Sequence, residues 1–355
     1  MKPVTFWRSC AASALCLASV ATIAATGAGS EASVARPGPL PSRLSETGLY
    51  SDASSLTVDP RHLAFSPQYP LWTDGAQKRR WVSLPAGTAI DITDIEVWSF
   101  PVGTRFWKEF SFGGRRVETR MLVKSNRTDW QFASYAWNDT QTDAVLAPVT
   151  GLPGVAEIAP GKKHSIPSVE DCRACHDSSR TEVLGFSALQ LSDDRDANAI
   201  HGEPLVNGMV TLRTLLAANR LQPGRPELVS APPRIPAASS QERAVLGYLS
   251  TNCGACHNSN STLAPLKLMF KQPAYGGGLG VVRAGLVRQT KWDRPGAVPE
   301  TTSVIDPVVI EHSALLYRMR SRRPASQMPP LGSVTPDAAA VDHVTRWALE
   351  EFRRP

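Results

Sequence analysis

The chain has 355 residues, enough for two or three domains with real cores, and its 42% hydrophobic and 20% charged content is that of a soluble globular protein. The 29 prolines argue for loops and short elements and against one long helical bundle. The net charge of +6 includes Lys2 and Arg8 and forms no long basic run, so it reads as a solvated surface and speaks against a nucleic-acid partner.

Lys2 and Arg8 precede an uncharged, apolar or small stretch over residues 9–28, with small residues at Ala24, Ala25, Ala28 and Ala35. This is the pattern of a signal peptide over residues 1–28, and export to the periplasm is expected. The stretch is only weakly hydrophobic, so cleavage is expected over anchoring. Membrane contact would arise only through this segment if it stayed uncleaved. A Pro-rich linker follows near residues 36–41.

Residues 36–165 read as β-rich. Residues 81–84 and 89–92 are short strand-like runs. Residues 104–112 and 117–123 flank Gly113-Gly114, a hairpin signal, and residues 130–137 form an aromatic-rich strand. A sandwich or small barrel is expected, with the clustered tryptophans as core rather than a binding box. Residues 147–167 turn loop-like, and residues 210–221 read helical. Five prolines within 223–236 suggest a linker. Ser239 with Glu242 is a capping-box pattern opening a helix that ends at Cys253. Thr335 as cap, with Pro336, should start a final helix striped by Val341, Val344, Ala348 and Phe352. The expected fold class is therefore α+β and multidomain. A β-rich sandwich or barrel-like domain would be followed by mostly α-helical cytochrome c haem segments, the first over 166–235 and the second over 236–355.

The chemistry lies in two pentapeptides, Cys172-Arg173-Ala174-Cys175-His176 and Cys253-Gly254-Ala255-Cys256-His257. Cysteines at i and i+3 on a helical turn share one face, where both reach the vinyl edge of a haem. The adjacent His then ligates the iron. Cys-x-x-Cys-His is the pattern of c-type haem attachment. A redox dithiol does not need the trailing His. A zinc shared by the four cysteines would require pairs closer in sequence and leaves both histidines unexplained. Two covalent haems c are expected, with His176 and His257 as proximal ligands. Met328, in Gln327-Met328-Pro329-Pro330, is the expected distal ligand of the second iron, because a thioether is a soft ligand and the prolines fix its loop. Met319 reads as core. For the first iron the candidate distal ligands are Met209 and His201.

Several further stretches carry a resemblance. They include residues 44–50 (Leu-Ser-Glu-Thr-Gly-Leu-Tyr), residues 70–76 (Pro-Leu-Trp-Thr-Asp-Gly-Ala) and residues 100–104 (Phe-Pro-Val-Gly-Thr). Ile166-Pro167-Ser168 before the first motif and Leu184-Gly185-Phe186 after it belong to the same set. With the two haem motifs, the chain resembles a bacterial family of dihaem c-type cytochromes with a β-rich N-terminal domain and a C-terminal class I-like cytochrome c domain. The resemblance spans nearly the whole mature chain and implies electron transfer, but no substrate.

The leading expectation is an electron carrier between a dehydrogenase and a terminal acceptor, with no catalytic residue of its own. One rival is a dihaem peroxidase or oxidase with an open first haem. Another is a binding module fused to an electron outlet.

Overall fold

The computed structural model describes residues 38–352 apart from 182, 277–278, 291 and 293–301, so the expected signal segment lies outside the described residues. In chain order the strands are β1 (Tyr50–Asp52), β2 (Thr57–Val58), β3 (Leu63–Ala64), β4 (Gln77–Ser83), β5 (Ile90–Asp94), β6 (Val97–Ser99) and β7 (Arg105–Phe112). They continue with β8 (Arg115–Lys124), β9 (Trp130–Trp137), β10 (Ala144–Leu146), β11 (Leu152–Ala159), β12 (Lys162–Ile166) and β13 (Leu221–Gln222).

The main sheet has six strands in the order β10-β9-β8-β7-β4-β3, and all its pairings are antiparallel. Its hairpin β7–β8 turns on Gly113 and Gly114, with φ of 54° and 80°. A two-residue turn that matches strand twist needs such left-handed residues, which is why the Gly-Gly pair was legible.

The period of two sorts the sheet into two faces. On one, Trp81, Trp107, Met121 and Ala133 stand opposite one another across four strands and pack with Leu44, Leu49 and Tyr135. The other carries Val82, Phe106 and Phe132 and packs against Ile90 and Ile92 of β5 and Trp98. Trp81, Trp98, Trp107 and Trp130 are all buried, so they serve as core. The three-stranded sheet β13-β5-β6 thus lies over the inner face as a partial second layer. The large sheet stays open, with β10 and β3 at its edges, and is not a barrel.

The helices are α1 (Val169–His176), α2 (Leu212–Ala217), α3 (Glu227–Ser230), α4 (Ser240–Asn252), α5 (Leu279–Leu286), α6 (Ala314–Arg320) and α7 (Ala338–Phe352). This corrects the expected fold class. The regions after β12 are not mostly α-helical cytochrome c segments, because among the described residues only α4 and α7 exceed eight residues. The reason is visible in the packing. Residues 177–211 bury Phe186, Leu191 and Val210 on the sheet without helical periodicity. Arg195 of this stretch donates to the carbonyls of Ser66 and Pro67 at 3.0 and 3.2 Å and fastens it to the chain between β3 and β4. One core therefore runs from β-strand residues through Cys172 to Leu212, Leu215 and Leu228. The helix expected over 210–221 is only α2, and Leu221 instead pairs with Ile90 in a parallel bridge.

The two longer helices follow their sequence signals more closely. Ser239 Oγ accepts from Glu242 N at 3.1 Å and caps α4. Val245 and Leu249 of α4 share a core with Val344 and Trp347 of α7. The start of α7 moves, however. Asp337 Oδ1 accepts from Ala340 N at 3.0 Å and takes the capping role, while the Thr335 hydroxyl is drawn away to Asp74 at 2.7 Å. Among the described residues no helix is long and apolar enough to cross a membrane.

Candidate functional site: two Cys-x-x-Cys-His motifs side by side

The first motif occupies the end of α1. Ser168 and Asp171 form a reciprocal capping box at 3.0 Å each, so the helix starts at a fixed residue and sets the phase of both thiols. No residue of α1 is fully buried, but Cys172 packs against the sheet core. Arg173 fastens the helix to β9. Its guanidinium lies 5.3 Å over the Phe132 ring and donates to the Trp130 carbonyl at 3.4 Å. The His176 ring sits edge-on to Phe132 at 5.1 Å.

The second motif begins at the C-cap of α4 and closes one further turn. The amides of Cys256 and His257 both donate to the Cys253 carbonyl, at 3.1 and 2.8 Å. Gly254 is required there, because a Cβ would stand 3.0 Å from the Lys271 backbone and run into the Ser250 carbonyl. His257 is buried, meets Phe270 edge-on at 5.5 Å, and leaves its Nδ1 without a hydrogen-bond partner. Burial pushes its imidazole below the ordinary range, which favours the neutral form that ligates metals.

The fold brings the two motifs together, and nothing in their spacing announced this. The Cys175 and Cys256 thiols share a hydrogen bond that raises the first and lowers the second to about 7. Burial raises the Cys253 thiol to about 12 and also raises Cys172. Asn258, the residue after His257, joins the pair from the side. Its Nδ2 lies 2.9 Å from the Ser178 carbonyl, just past the first motif, and 3.0 and 2.8 Å from the carbonyls of Gly254 and Ala255. Its Oδ1 accepts from the amides of Asn260 and Ser261 at 2.8 and 3.1 Å. Sequence reasoning passed over Asn258, Phe132 and Phe270. Only the adjacency of Asn258 to the motif offered a signal.

The remaining candidate ligands are placed as follows. Met328 is half-buried in the loop after α6, where its amide donates to the Arg318 carbonyl at 2.9 Å. Cys253 packs against the same core as Leu315, Leu316 and Met319 of α6, so Met328 is tethered to a helix that shares its core with the second motif. Met319 is core, as expected. His201 is held elsewhere: its Nε2 lies 2.9 Å from both oxygens of Asp337, and its ring lies against Trp72 at 4.8 Å. Met209 is half-buried in a turn beside Val210, whose amide pairs with β3 at Ala64.

The donor set suits haem. Each thiol pair lies on one helical turn with a histidine directly behind it, as c-type attachment requires. A zinc shared between the pairs fits less well, since among the described residues no three of His, Cys, Asp and Glu converge as a metal would require. No family model, curated protein or solved structure matches this chain.

Proposed function

We propose that this chain is a periplasmic c-type cytochrome that attaches two haems covalently and passes electrons between redox proteins, such as a dehydrogenase and a terminal acceptor. The observation that carries the reading is the meeting of the two motifs through Cys175, Cys256 and the Asn258 bridge to Ser178. Adjacent attachment points would set two redox centres side by side within one rigid core, where an electron need not leave the chain to move between them.

Cys172, Cys175 and His176 would hold one haem, and Cys253, Cys256, His257 and Met328 the other. The bound groups supply one-electron chemistry, and axial-ligand identity and burial tune it. The protein's part is to fix orientation and exclude water. Phe132 braces His176, and Phe270 braces His257 within the buried turn.

The mature holoprotein is expected to retain two haems per chain after acid-acetone extraction, as counted by pyridine haemochrome. One haem, or zinc, ends the reading. Met328→Ala is expected to open the second iron to carbon monoxide and to lower its potential, read by absorbance and redox titration. If neither changes, Met328 is not the ligand.

A second reading, a peroxidase or oxidase with an open first haem, gains one observation. The His201 imidazole is engaged by Asp337 and Trp72, which leaves Met209 as the other named distal candidate. A high-spin ferric signal with peroxide turnover that His176→Ala abolishes and Met328→Ala spares would favour it.

A further inference from the structure

The inner face of the main sheet carries a feature that its role as a core surface does not require. The pairing register places Arg80, Lys108, Arg120 and Ser134 opposite one another across β4, β7, β8 and β9. Adjacent strands lie about 4.8 Å apart, so three cations stand in a row about 10 Å long, Arg80 buried and Lys108 and Arg120 half-buried. Lys78, two residues along β4 from Arg80, points to the same face and acts on the same groups.

Among the described residues only two carboxylates answer these four cations from hydrogen-bonding distance, and both are already engaged. Glu203 takes Arg80 at 2.6 and 3.2 Å and Ser66 at 2.8 Å. Glu118, fully buried, takes Arg120 at 2.6 Å and His164 at 3.0 Å. Among the described residues no carboxylate reaches Lys78 or Lys108 at ion-pair distance. Lys108 has only the face of Phe110, 4.8 Å away, a ring it shares with Arg120 at 4.5 Å.

Burial, with Arg80 and the other cations, pushes the Lys108 ammonium well below its ordinary range and Lys78 to about 8. Packing alone gives no reason for two further amines on a half-buried face whose nearby carboxylates are already engaged. The row also runs toward the first motif: Arg120 stands opposite Ser134, two residues along the same face of β9 from Phe132, and the His176 ring and Arg173 guanidinium lie on Phe132.

We propose that Lys78, Arg80, Lys108 and Arg120 form a carboxylate-binding cradle beside the first Cys-x-x-Cys-His motif. The cradle takes a carboxylate because the row offers amine and guanidinium donors side by side on a half-buried face, and a two-oxygen anion there accepts charge-assisted hydrogen bonds from the guanidinium groups and favours the protonated lysines. The carboxylate comes either from the propionates of the haem at that motif, which rests on the cytochrome reading, or from a free small dicarboxylate.

The test uses the full-length holoprotein with Lys108→Met, and Lys78→Met as the second variant. Each removes one amine and keeps the stem's length. Haem is first counted by haemochrome in every protein. Redox titration and thermal unfolding with and without malonate then separate the sources. Propionate binding lowers the potential of one haem in Lys108→Met, with both haems still attached and no response to malonate in the unsubstituted protein. Free-carboxylate binding instead gives a saturable rise of the melting midpoint with malonate, weakened about tenfold in Lys108→Met, the loss of one charge-assisted hydrogen bond. If neither variant alters any potential or the malonate response, the cradle is overturned. A chain without haem overturns the cytochrome reading, and the malonate arm alone then decides the cradle.

Discussion

Glu118→Ala is expected to lower unfolding stability by about 3–5 kcal/mol, the cost of leaving a buried ion pair with one partner. Glu118 has no exposed surface, and its Oε1 accepts from Arg120 at 2.6 Å and lies 3.0 Å from His164 Nε2. Without it, Arg120 keeps its charge beside Lys108, Lys78 and Arg80 with no carboxylate to offset it. Burial would raise the Glu118 carboxyl, but Arg120 and then His164 outweigh it and hold the group below its ordinary value of 4.5. A depressed carboxyl binds fewer protons in the folded than in the unfolded chain. Its stabilisation is therefore full above about pH 4.5 and drains away as pH falls below that. Urea unfolding at pH 7 should give the full loss for Glu118→Ala. A series toward pH 3 should narrow the gap between the variant and the unsubstituted chain. A gap that is small at pH 7, or constant with pH, would mean that Glu118 is not the anchor of this cluster.

Gly254→Ala is expected to detach haem from the second motif while leaving the first loaded, and to cost about 1–3 kcal/mol as an overpacked site. The added methyl meets the Ser250 carbonyl and the Lys271 backbone, neither of which is the loose end of a side chain. Relief requires the turn from Cys253 to His257 to move, and that turn sets the phase of the two thiols. The equivalent position in the first motif is Arg173, whose side chain is accommodated over Phe132, so no such limit applies there. The haemochrome count should fall from two to one, and the melting midpoint should drop. A retained count of two would show that the second turn tolerates displacement.

The sequence by itself determined most strands of the main sheet and the cap of α4, but not the β11–β12 hairpin, which occupies a stretch that reads as loop. The two pentapeptides, the Gly113-Gly114 hairpin, the strand over 130–137 and the Ser239–Glu242 cap are local patterns, and local backbone preference is enough to produce them. What it misjudged was the medium between them. Helical segments were expected around both motifs, yet residues 183–211 follow the shape of the sheet, and Arg195 ties them to the carbonyls of Ser66 and Pro67. Thr335 looked like a cap until Asp74, distant in the chain, claimed its hydroxyl and Asp337 took the role. Tertiary structure alone decided that Cys175 meets Cys256, that Asn258 ties one motif to the other, and that Arg80, Lys108 and Arg120 line up across three strands toward the first motif. Each of these joins residues far apart in sequence through register or packing. Such contacts exist only once a shared core has formed, so no local window of the chain encodes them.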